Sequence, residues 1–97
     1  QTFGALTTMR AIVTVIGEDR VGIIAAISRQ LADHEVNILD LSQTVMRDYF
    51  TMIMLVDLVR TTVSLSVLND RLSACGKDMG LTIRIQREEI FKAMHEV

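Results

Sequence analysis

The chemistry available to this chain gathers in one short segment, Gly-Glu-Asp-Arg-Val-Gly from Gly17 to Gly22, which leads straight into a run with helical periodicity. Glycine at both ends lets the backbone come close to a ligand, and the following helix presents free amides and the positive end of its dipole. A small molecule bearing a carboxylate would dock there, with Asp19 and the side chains around Asn37 receiving or orienting an ammonium group. The same segment also fits a plain structural reading, in which Gly17 ends a strand and Gly22 starts a tightly packed helix. Both readings stand on the residues alone.

The remaining reactive groups are scattered. Cys75 is the lone cysteine and falls on an apolar helical stripe, so it reads as a buried small hydrophobe rather than a nucleophile. His34 closes the first helical run, where a surface cation is favoured by the dipole. His95 has Glu88 and Glu89 nearby but no second histidine or cysteine at metal spacing, so neither a metal site nor a cofactor is expected. Asp40 and Asp57 have no identifiable carboxylate partner with which to share acid and base roles. Metalloprotease, phosphate-loop lysine and dinucleotide-fingerprint motifs are all missing. No catalytic residue is assigned, and binding or regulation is the expected role rather than catalysis.

With 97 residues, the chain has room for one core. Its net charge of −2 is spread over intermixed acids and bases, which offers no field for nucleic acid or anionic lipid. The apolar run around Met52–Val56 is far short of a membrane span. A lone cysteine and the lack of a signal-peptide pattern point to a reducing cytoplasm. Gln1–Thr8 is unpatterned and reads as a leader outside the domain, which then runs over 9–97. A hydrophobic content of 49% is rich for a small domain and suggests a partner surface.

The elements that must position the glycine segment follow from periodicity. Met9–Ile16 is apolar on both faces and reads as an interior strand. From Gly22 to His34, Ile23, Ile24, Ile27 and Leu31 recur at helical spacing, with Asp19 as the expected cap. Residues 36–46 read as an edge strand with Leu39, Leu41 and Val45 on one face and Ile38 and Met46 on the other. Arg47-Asp48-Tyr49 reverses the chain into Phe50–Leu58, a second interior strand. Thr61 or Thr62 is expected to cap a second helix carrying Leu65, Leu68, Leu72, Cys75 and Met79, which Gly80 ends. Gly76 weakens its last turn. Residues 81–87 form another edge strand, and Glu88 and Glu89 open a helical tail with an Ile90, Phe91 and Met94 stripe.

This order gives an α+β, ferredoxin-like βαββαβ sandwich: a four-stranded antiparallel sheet of order 4-1-3-2 with two helices on one face and a short C-terminal helical tail. The two most apolar strands fall at its centre. Helices cover one face only, so the tail, a second subunit or both must hide the other, and a symmetric dimer is expected. Nucleic-acid readers with this order stack bases on sheet aromatics, which are largely missing here.

The stretches GEDRVGII, VNILDLSQTV, YFTMIMLVD and IRIQREEIFKAMH resemble the stand-alone ACT domain proteins of the UPF0237 type, over Met9 to about Val97. The glycine cleavage system transcriptional repressor is a two-domain relative. The resemblance implies a single ACT-like domain, pairing into a homodimer through sheets or helices, and an amino acid bound at an interface between domains. It places the effector site on Gly17, Asp19, Arg20, Val21, Gly22, Ile23, Asn37 and Ile38, with the amides of Val21, Gly22 and Ile23 receiving the carboxylate. With no attached catalytic domain in this sequence, it implies either action through a separate regulated protein or sensing of a ligand alone, and names neither. The competing expectation is a protein–protein interaction or scaffold module without a small ligand.

Overall fold

The computed structural model describes residues 9–95, so the leader assigned to Gln1–Thr8 lies outside the described residues. The chain runs β1 (Arg10–Glu18), α1 (Ile23–Asp33), β2 (Asn37–Met46), β3 (Tyr49–Asp57), α2 (Leu65–Met79), β4 (Leu81–Arg87) and α3 (Glu88–His95). The strands form one antiparallel sheet of order β2-β3-β1-β4, the expected order read from its other edge. The two central strands are the two most apolar ones; each has a strand on both sides, and one face of each lies beneath the helices.

Alternate residues of β1 and β3, including Val13, Val15, Met52 and Met54, are fully buried beneath α1 and α2. Ile27 and Leu31 from α1 and Leu68 and Leu72 from α2 complete this core. Ile24, expected on the same stripe, is 39% exposed, because the helix turns it toward the edge of the sheet instead of its centre.

Local chemistry corrects several expected boundaries. Gly17 belongs to β1, paired with Phe50 and Leu81, rather than to the turn. A Cβ there would lie 2.6 Å from Leu81 Cδ2 and 3.0 Å from the Gly80 carbonyl oxygen, so close packing against the start of β4 requires glycine. Asp19 does not cap α1; the cap is Gly22, at φ 91, with no side-chain hydrogen bond. A β-bulge between Ile38 and Asp40 rephases β2, so Ile38 joins Leu41, Gln43 and Val45 on the helix side, opposite to the simple alternation. The hairpin turn is only Arg47-Asp48, with Arg47 at φ 56, and Tyr49 already pairs with Met46.

Ser64, not Thr61 or Thr62, caps α2, its Oγ accepting from the Val67 amide at 3.3 Å. Thr61 is engaged with the backbone of Val63, which places the helix start three residues later. Gly80 ends α2 at φ 71, in the expected left-handed cap. Gly76 has a packing role: a Cβ would meet the Leu81 carbonyl oxygen at 2.8 Å and Ile83 Cγ1 at 2.9 Å. Along the same face of α2, Ser73 Oγ donates to the Ile83 carbonyl at 3.5 Å and the Ile85 amide donates to Asn69 Oδ1 at 3.3 Å. These three positions seat α2 against the outer edge of β4. Among the described residues the edge of β2 has no such cover, and nearly all residues of β2 are exposed.

On the far face of the sheet, α3 packs against β1 and β4, so the tail does take part of that face. Arg10 anchors its first turn by donating to both carboxylate oxygens of Glu88, at 2.9 and 3.0 Å. Ile12 lies on this face and is only 9% exposed.

Candidate functional site

β1 ends at Glu18, and the chain must then climb from the sheet to the start of α1. The Asp19 amide donates to the Asp48 carbonyl at 2.8 Å, which pins this climb to the β2–β3 hairpin. Gly22 then takes a left-handed conformation that favours glycine, and its carbonyl accepts the first helical bond, from Ala26 at 2.9 Å. The amides ahead of Ala26 have no intrahelical acceptor, and no side chain caps them. They face an open groove of about 590 Å³ lined by Asp19, Arg20, Gly22, Ile23, Gln43 and Val45, with Phe50 as its floor. Free donors and the helix dipole suit a carboxylate, and Asp19 is the acid in the lining.

Of the residues assigned from the sequence, Asp19, Arg20, Gly22 and Ile23 come together here, and Val21 lies beside them, fully exposed. Gly17 sits one layer below, in the strand. Asn37 and Ile38 do not join them within one chain. They follow the opposite end of α1, an 11-residue helix that spans about 16 Å at 1.5 Å per residue. Asn37 instead lines a separate depression with Glu35, Asp57 and Arg60. Gln43 and Val45 were missed as lining residues because nothing in the residue pattern brings the end of β2 beside the start of α1; the sheet pairing and the hairpin do that.

His34 is buried, not at the surface as expected. Its Nδ1 lies 2.8 Å from the Gln30 carbonyl and its Nε2 lies 3.3 Å from Arg71 Nη1. A carbonyl can only accept and a guanidinium can only donate, so these partners assign the ring proton to Nδ1. Cys75 is half-buried on α2, and burial, then the nearby Asp78 carboxylate, push its thiol above the ordinary value. Among the described residues no group of three or more histidines, cysteines or carboxylates is placed to hold a metal. No helix there is long and apolar enough to cross a membrane.

Comparison with known proteins agrees with this geometry. The profile of the ACT domain matches residues 9–86. A UPF0237 protein of Methanopyrus kandleri is 51% identical over 88 residues, covering 91% of this chain and 98% of the relative. Another, from Clostridium acetobutylicum, is 53% identical over 89 residues, covering 92% of this chain and all of the relative. Among solved structures, an ACT domain protein from Streptococcus pneumoniae superposes with a TM-score of 0.76 at 39% identity, covering 91% of this chain and 99% of that one. The match to the ACT domain profile and the matches over nearly the full length of small relatives lead to one assignment: this chain is a stand-alone ACT domain protein of the UPF0237 family.

Proposed function

We propose that the chain is a cytoplasmic, non-enzymatic regulatory module that binds an amino acid at the start of α1, in a site completed by a second copy. ACT domains are non-catalytic regulatory modules, and their fold suits small-ligand binding. The observation that carries the amino-acid reading is Gly22: a left-handed, uncapped helix start opening on a groove that also holds a carboxylate, Asp19. In this reading the amides of Val21, Gly22 and Ile23 receive the ligand carboxylate and Asp19 takes its ammonium group.

The edges of the sheet support the second copy. α2 covers β4, whereas β2 leaves its backbone edge open and exposes Leu39, Leu41, Val45 and Met46. Asp40 is the one charged residue on β2, so little there opposes pairing. Antiparallel pairing of β2 with its copy about a two-fold axis would set the start of one β2 beside the end of the other. Asn37 and Ile38 of the second copy would then approach Gln43 and Val45, and through them the Gly22 groove. This arrangement unites residues that one chain keeps apart. A regulated protein, if separate, would read the liganded dimer.

The experiment is a thermal-shift screen against the common amino acids. A ligand at a hundredfold excess over its Kd adds about 2.7 kcal/mol, a rise of several degrees. Gly22→Leu has open space for its Cβ but a strained backbone, so it should fold with a loss of about 1–2 kcal/mol and no ligand-dependent rise. A full rise in that variant would sink the placement. No rise with any amino acid, together with a dimer in sedimentation, would favour the scaffold reading, which the exposed β2 edge supports.

A further inference from the structure

The open face of the sheet holds a second groove, of about 510 Å³, on the side away from Gly22. We propose that it binds a small carboxylate with an aromatic or branched apolar body and no ammonium group. This site is independent of the amino-acid reading and uses none of its residues. Ile16 and Ile53 form the apolar floor, and Phe91 of α3 supplies a wall. Such a volume lies within the range of small-molecule sites, about 300–1,000 Å³.

Thr14, Thr51, Thr82, Arg84 and Gln86 supply the polar part of the lining. Arg84 stands directly across from Thr14 in the β1–β4 pairing, and Thr82 stands across from Ile16. Arg84 forms no ion pair or side-chain hydrogen bond among the described residues, and neither do the hydroxyls of Thr14 and Thr82. An unpaired guanidinium beside two unpaired hydroxyls and an apolar floor is complementary to a carboxylate carrying a hydrophobic body, because the planar fork takes both carboxylate oxygens. No acidic residue is among the described residues that line the groove. The nearby Glu88 is committed to Arg10 through two hydrogen bonds. An ammonium group would therefore enter without an anionic partner and beside the Arg84 cation, which disfavours the amino acids relative to this ligand class.

The test is a titration of the ¹⁵N-labelled protein with 3-phenylpropionate, followed by amide shifts, with 3-phenylpropanol and phenylalanine as counterparts. Saturable shifts are expected at Thr14, Ile16, Thr82 and Arg84, with affinity at least roughly tenfold weaker for the alcohol, for phenylalanine and in Arg84→Gln. Arg84 is exposed, so the rest of the Arg84→Gln spectrum should be unchanged. Undiminished affinity in Arg84→Gln would overturn the proposal. So would shifts that never saturate, or concentration-dependent burial of this face against a second copy. Failure of the amino-acid site would show at the amides of residues 21–25 instead, so the two outcomes read separately.

Discussion

Replacing Gly76 by alanine should destabilise the protein, although helix propensity alone gives the opposite sign. At an ordinary exposed helical position the change stabilises by about 1 kcal/mol. Here the new methyl would lie 2.8 Å from the Leu81 carbonyl oxygen and 2.9 and 3.1 Å from two carbons of Ile83, where relaxed contacts sit at about 3.5–4.0 Å. Ile83 can adjust its rotamer, but the Leu81 carbonyl belongs to a strand residue paired with Gly17. Relief therefore requires α2 to move outward by on the order of 0.5–1 Å, which also loosens the bonds of Asn69 and Ser73 to β4. Overpacking of this kind costs about 1–3 kcal/mol, and each weakened hydrogen bond adds up to about 1 kcal/mol. After subtracting the propensity gain, these terms leave a net loss centred on roughly 2 kcal/mol and reaching about 4 kcal/mol. In a domain of this size each kcal/mol lowers Tm by about 4–8 °C. Urea denaturation and thermal scans at matched protein concentration measure it. An alanine variant as stable as the parent, or more so, would refute the seating of α2 on β4.

Ser64→Ala should cost about 1 kcal/mol in urea denaturation through loss of the α2 cap, whereas Thr62→Ala should cost far less. Iodoacetamide should modify Cys75 slowly at neutral pH, with a midpoint above that of an ordinary thiol that falls in Asp78→Asn. The folded state keeps this proton at pH values where the unfolded chain has begun to release it. Stability should therefore fall as pH rises through the alkaline range, a slope that Cys75→Ala removes. Leu41→Lys, which places a charge on the open edge, should shift sedimentation toward a monomer; a persisting dimer would exclude β2 as the interface.

The sheet order was legible in the sequence because each strand announced its place by how many of its faces are apolar. Met52 and Met54 alternate with Ile53 and Leu55, and only a central strand accommodates both sets. What escaped were features set by single contacts rather than by period. The bulge after Ile38 exchanges the faces of the first residues of β2 without any local composition signal. Gly17 and Gly76 look like a turn and a weak spot until the strand and helix that press on them are known. His34 reads as a surface cation because nothing in the pattern announces that Arg71, thirty-seven residues away, reaches its ring. For the candidate site, the start of α1 was readable from Gly22, but Asn37 and Ile38 share a motif with it and not a location, since a whole helix separates them.

The unequal finish of the two sheet edges also bears on how such chains can accumulate. A sheet with two bare margins can recruit neighbours on both sides and grow without limit into a fibre. Here the helix carrying Asn69, Ser73 and Gly76 closes one margin, so addition is available on one side alone. Once two copies meet there, neither has a margin left to offer, and growth by strand addition stops at eight strands.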